Sequence, residues 1–156
     1  MLKSGYTAVG EFQYLHHNTD GTPFDVPAEM SLRALAAARR TGIGLTLLPV
    51  FYRYAGFGKQ PPNSNQGRFI NNPEEFLKIF RSLSEATGHD PNFNTGIAPH
   101  SLRAVDVESI REVTGEASAD TPFHIHIAEQ KKEVDDCIAF FGRRPYEHLQ
   151  GSIDFQ

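Results

Sequence analysis

Apolar residues along this chain gather into four short runs rich in β-formers, at residues 6–12, 43–51, 94–98 and 123–128. Each run is followed by a stretch whose apolar positions recur every three or four residues, so the pattern predicts strand then helix, four times over. The first helix begins near Pro27 and runs through Leu32, Leu35 and Ala38 to Gly42. The second is the clearest: Asn72 can cap, Pro73 suits the first helical position, Glu75 completes a capping box, Phe76, Phe80 and Leu83 form the stripe, and Gly88 can end it. A third follows Asp106, with Val105 and Ile110 placed as a hydrophobic staple, and a fourth runs from Gln130 through Val134, Cys137, Ile138 and Phe141 to Gly142. A short turn after Pro145 completes the set.

Strands joined in succession by helical crossovers run parallel, which predicts an α/β fold. Runs that are apolar at nearly every residue are covered on both faces, as in an open doubly wound sheet or part of a β/α barrel, and periodicity does not choose between these. The loops at 12–27 and 52–72 add something. Both follow a strand, and both are long, polar and rich in Gly, Pro, Asn and His, the kind of loop on which parallel folds build their sites.

Composition narrows the function. With 156 residues, 39% of them hydrophobic, the chain has material for one ordinary core. Fifteen Lys+Arg against nineteen Asp+Glu give a net charge of -4 without a basic cluster, which argues against nucleic acid as a partner. The apolar stretch 43–51 is far too short to span a bilayer and the N-terminus lacks the zones of a signal peptide, so the expectation is a cytoplasmic protein without a membrane partner. The single cysteine, Cys137, falls in a helical apolar stripe and reads as a small buried hydrophobe.

The stretch 123–130, Phe-His-Ile-His-Ile-Ala-Glu-Gln, carries the most chemistry. On a strand, His124 and His126 share a side, His126 nearer the C-terminal end and Glu129 just beyond it. An imidazole there can hold Zn²⁺ while a neighbouring carboxylate moves protons. The plainer reading makes both histidines half-buried strand residues bonded to backbone, and a third makes them a paired metal motif. At the end of the preceding strand, Arg103 can grip a carboxylate with His100 beside it, or be a solvated Arg behind a capping His. Tyr14, His16, His17 and Asp20 cluster in the first long loop without a defensible ligand spacing, and loop polarity explains them more simply. The run Gly56-Phe57-Gly58-Lys59 fails as a phosphate cradle, because Arg53 and Gln60 stand where Gly and Ser or Thr are required.

Taken together, residues 5–12 with Tyr14-Leu15-His16-His17, Leu47-Leu48-Pro49-Val50-Phe51-Tyr52, Ala98-Pro99-His100-Ser101-Leu102-Arg103 and residues 124–130 resemble the formimidoylglutamate deiminases of the amidohydrolase superfamily. The resemblance implies a (β/α)₈ barrel with one Zn²⁺, of which residues 1–156 would be a partial domain holding about the second to fifth units. It makes His126 a metal ligand, Glu129 the proton shuttle, and His100, Arg103 and Tyr14 substrate-binding residues, with Arg103 on a carboxylate. The implied reaction converts N-formimino-L-glutamate to N-formyl-L-glutamate and ammonia in histidine degradation. The paired His-x-His of the first strand, a later catalytic His and a metal-binding Asp are absent, so a fragment cut at both ends and inactive alone is expected. For the complete enzyme a homodimer is compatible with the resemblance. The rival readings are another deaminase of the superfamily, whose neutral substrate would leave Arg103 idle, and a non-catalytic α/β module that binds a small anion.

Overall fold

In the computed structural model, which describes residues 1–153, β1 (Ala8–Gln13), β2 (Gly44–Phe51) and β3 (Phe93–Thr95) lie side by side in that order, all parallel, and β4 (Ala98–Pro99) continues beside the far end of β2. Helices α1 (Glu29–Thr41), α2 (Pro73–Thr87) and α3 (Val107–Thr114) make the crossovers, followed by α4 (Lys131–Phe141) and α5 (Pro145–Gln150). No helix among the described residues is long and apolar enough to cross a membrane.

The buried strand β2 organises everything else. Its Leu45 and Leu47 pack with Leu35 and Ala38 of α1 and with Ile79 and Leu83 of α2, while Leu48 and Val50 turn to the opposite face with Ala98, Phe12 and Tyr14. Both faces are therefore apolar, as a continuous hydrophobic run requires. Helix α2 begins as its sequence directs: the Asn72 side chain accepts the Glu75 N–H at 2.9 Å and the Glu75 carboxylate accepts the Asn72 N–H at 2.9 Å. Its Phe76 stacks on Phe51 of β2 at 4.9 Å between ring centroids. Val105 and Ile110 are both fully buried in the same cluster, and Asp106 caps α3 by accepting the Ser109 N–H at 3.1 Å. Cys137 is buried in α4, and that burial pushes its thiol up.

Two expectations need correction. The predicted third strand is interrupted: β3 ends at Thr95, and at Gly96 and Ile97 the chain changes partner, Gly96 donating to the Leu47 carbonyl and Ile97 to that of Pro122. Only glycine fits the switch, because a Cβ there would lie 2.5 Å from the Pro122 oxygen and 2.7 Å from Leu48 Cδ2. The predicted fourth strand is not regular β structure. Phe123 forms an isolated parallel bridge with Ile97, and His124 and His126 donate backbone N–H groups to the Ile97 and His100 carbonyls. Pairing along one side at alternate residues aligns the segment without completing a ladder.

Candidate active site

Strand parity gathers the site. Phe12 of β1 and Tyr14 just past it lie on the face that carries Leu48 and Val50, and Tyr52 continues the same parity one step past β2. His100 stands just after β4, and the 123–128 segment brings up His124 and His126, whose rings lie 6.1 and 4.7 Å from Phe12. The two histidines do share a side. His124 is exposed, whereas His126 is half-buried.

The tautomer of His126 follows from its anchor. Its Nδ1 lies 3.0 Å from the His100 carbonyl oxygen, which can only accept, so Nδ1 carries the proton and Nε2 presents a lone pair. A backbone carbonyl in that position also fixes the ring plane. His100 is buried, with Nδ1 3.0 Å from the Ser101 hydroxyl, and its ring stands 4.8 Å from that of His126, 4.7 Å from Tyr52 and 5.7 Å from Tyr14. Burial, and then the nearby Arg103 charge and His126, push its pKa down to about 4, so the ring is neutral at physiological pH. His100 does not cap a helix; that role belongs to Asp106.

Arg103 donates from Nη1 to the Tyr52 hydroxyl at 2.9 Å, and it lines a hollow of about 660 Å³ together with Gln130 and Glu133. His100, His126 and Tyr14 do not line that hollow. The half-buried phenol of Tyr14 is raised by burial and then by the charge of Glu129, which places that carboxylate within electrostatic reach. Glu129 itself is exposed just before α4. Its N–H donates to Glu133 Oε2 at 3.2 Å, just after Ala128, whose φ of 56° is a left-handed conformation unusual for alanine. Burial pushes the Glu133 carboxyl up. Sequence reasoning passed over both Tyr52 and Glu133, although Glu133 sits at N3 of α4, where a capping glutamate is expected.

The first loop corrects the reading of simple loop polarity at His16. This residue is buried, donates from Nε2 to the Val50 carbonyl at 2.8 Å, and is pushed down to about 4 chiefly by burial. His17 donates from Nδ1 to the Gly67 carbonyl at 2.9 Å, and both residues give their backbone N–H groups to the Arg68 carbonyl, so the two long loops are stitched together. Asp20 is turned away into a turn with Thr22. Lys59 pairs with Asp106 at 3.6 Å. Among the described residues no three His, Cys, Asp or Glu side chains converge as a metal site. His126, with its free Nε2, fits the part of one ligand.

The sequence model of the amidohydrolase family matches residues 1–154. The chain belongs to the amidohydrolase family. Formimidoylglutamate deiminase of Pseudomonas aeruginosa is 52% identical to this amidohydrolase chain over 98% of it, although the chain spans only 34% of that protein's length. An amidohydrolase from Brucella melitensis superimposes with a TM-score of 0.93 at 49% identity, over 99% of this chain and 34% of that one. An adenosine deaminase from Xanthomonas campestris, solved with bound zinc, superimposes with a TM-score of 0.66 at 24% identity, over 96% and 28% of the two chains, which shows the fold alone. The strand and helix units of this amidohydrolase chain are therefore part of the family's barrel, and the face that carries Phe12, His100 and His126 is its interior.

Proposed function

We propose that this chain is part of a metal-dependent deiminase that hydrolyses N-formimino-L-glutamate to N-formyl-L-glutamate and ammonia in histidine degradation. The observation that carries the reading is a chain of contacts from an arginine fork to an imidazole with a free Nε2: Arg103 on Tyr52, Tyr52 against His100, and His100 against His126. An anion clamp linked through two rings to a ligand nitrogen suits a substrate with a carboxylate at one end and a hydrolysable amidine at the other. The 52% identity to a formimidoylglutamate deiminase supports it.

In this reading Arg103 pairs with a carboxylate of the glutamate part through its fork, with neutral His100 and the Tyr14 hydroxyl adding hydrogen bonds. His126 would offer Nε2 to Zn²⁺ as one ligand of its set. When bound, such an ion acts as a Lewis acid that lowers the pKa of water. Glu129 takes one proton from the attacking water and then the remaining hydroxyl proton of the adduct, delivering both to the amidine nitrogen, so that the C–N bond breaks as the formyl C=O forms and the nitrogen leaves as ammonia. The setting is cytoplasmic, the partner is a small molecule, and the complete protein admits a homodimer.

The test uses the complete polypeptide, with ammonia release measured from N-formimino-L-glutamate and from adenosine. We expect preference for the amidine by orders of magnitude, since a site built to pair a charged group discriminates strongly against a ligand without it. Losing one partner of a charged hydrogen bond costs about 2–5 kcal/mol, so Arg103→Ala should raise KM by roughly thirtyfold or more, and Arg103→Lys by less. Preference for the nucleoside would overturn the assignment.

A further inference from the structure

Tyr52 lies in none of the roles assigned above, yet three independent contacts converge on it. Its hydroxyl accepts from Arg103 Nη1 at 2.9 Å and from Gln66 Nε2 at 3.3 Å, and its ring packs edgewise on His100 at 4.7 Å. The direction of these bonds is fixed by chemistry. A guanidinium only donates, and the Asn63 N–H, which also only donates, takes Gln66 Oε1 at 2.8 Å and so turns the glutamine NH₂ toward the phenol. The backbone reinforces the pairing, because Arg53 and Tyr54 both donate to the carbonyl of Ala104, the neighbour of Arg103. Asn71 closes the loop back onto Tyr52 by donating to its carbonyl at 2.9 Å.

We infer that Tyr52, held by Gln66, is a specificity-determining positioning residue: it sets the plane of the Arg103 fork and thereby the enzyme's demand for a carboxylate. This rests on the deiminase reading and deepens it. A long arginine has many rotamers, and a bidentate grip needs one of them already occupied. Tyr52 is only 5% exposed, so its oxygen is shielded from water that would compete for the guanidinium. The long loop after β2 then acts on specificity through Gln66 without touching the substrate.

The test compares Tyr52→Phe, Gln66→Ala and Arg103→Ala in the complete enzyme. Kinetics are measured on N-formimino-L-glutamate and on two formimino compounds, one lacking the α-carboxylate and one lacking the side-chain carboxylate. Phenylalanine keeps the packing and deletes only the hydroxyl. We expect Tyr52→Phe to raise KM for the full substrate about tenfold, with kcat changed by less than about twofold, and Gln66→Ala to do the same more weakly. On the compound lacking the carboxylate that Arg103 holds, the penalty should vanish, and in an Arg103→Ala background Tyr52→Phe should add nothing. Equal penalties on all three compounds, or penalties additive with Arg103→Ala, would reduce Tyr52 to a support of the fold and overturn the inference alone. If Arg103→Ala itself discriminates among none of the compounds, the anionic-substrate reading falls and takes this inference with it.

Discussion

His16 makes a prediction whose size can be worked out before any experiment. Its ring is 2% exposed and its pKa is pushed down to about 4 from an ordinary value of 6.5, with burial the largest cause. A histidine depressed in the folded state is favoured neutral. As pH falls below 6.5 the unfolded chain takes up a proton that the folded chain refuses until about 4, and stability is lost across that window. The linkage gives a loss of about 2 kcal/mol between about pH 7 and pH 5, and about 3 kcal/mol by pH 4. The informative variant is His16→Gln, whose amide nitrogen lies as many bonds from Cβ as ring Nε2 and can still donate to the Val50 carbonyl without titrating. Urea midpoints followed from about pH 7 to pH 5 should fall less in the variant than in the parent, by about 2 kcal/mol once converted through the m-value. Subtracting the two profiles removes the parallel contribution of His100. Nuclear magnetic resonance of labelled histidine rings should show His16 still neutral at about pH 5. Identical acid profiles for parent and variant would mean that His16 is solvated, and the account of how the first long loop is pinned would fail.

Two further outcomes bear on the site. If Glu129 carries the proton as proposed, Glu129→Gln in the complete enzyme should lower kcat by about 10²–10⁴ with metal content unchanged; metal analysis with steady-state kinetics decides, and a loss under about tenfold moves the shuttle elsewhere. Gly96→Ala should be among the most damaging small substitutions, because the new Cβ would lie 2.5 Å from a backbone oxygen that moves only if the segment carrying His126 moves with it. Thermal denaturation should show a loss of several degrees or failure to fold, and a neutral result would mean that Pro122 is loosely held.

Much of the architecture was legible because it is written in local terms. The α2 boundaries follow from Asn72, Pro73, Glu75 and Gly88, and the parallel order follows from runs such as that of β2, apolar on both faces. What escaped depends on distance along the chain. His16 looks like any polar loop residue until Val50, 34 positions away, supplies its acceptor. The alternating His-Ile-His-Ile of 124–127 has strand periodicity, but a strand also needs partners, and this segment is held through alternate backbone groups on one side. Of the site, His100, Arg103 and His126 were visible as residue types at or just after strand ends, whereas Tyr52 was hidden as the first residue of a long polar loop. Its parity with Leu48 and Val50 could have flagged it as inward-facing.

Three of the histidines that frame the site rest on the main chain: His16 on Val50, His17 on Gly67 and His126 on His100. A side-chain acceptor can be lost to a single base change, but a carbonyl is present whatever residue occupies the position. Sequence drift at residues 50, 67 and 100 therefore leaves the acceptors themselves in place, and the rings are exposed instead to changes of backbone path, such as a one-residue insertion before Val50. Across diverging copies of this gene, substitutions under these histidines should be tolerated far more often than length changes in the segments that present the carbonyls.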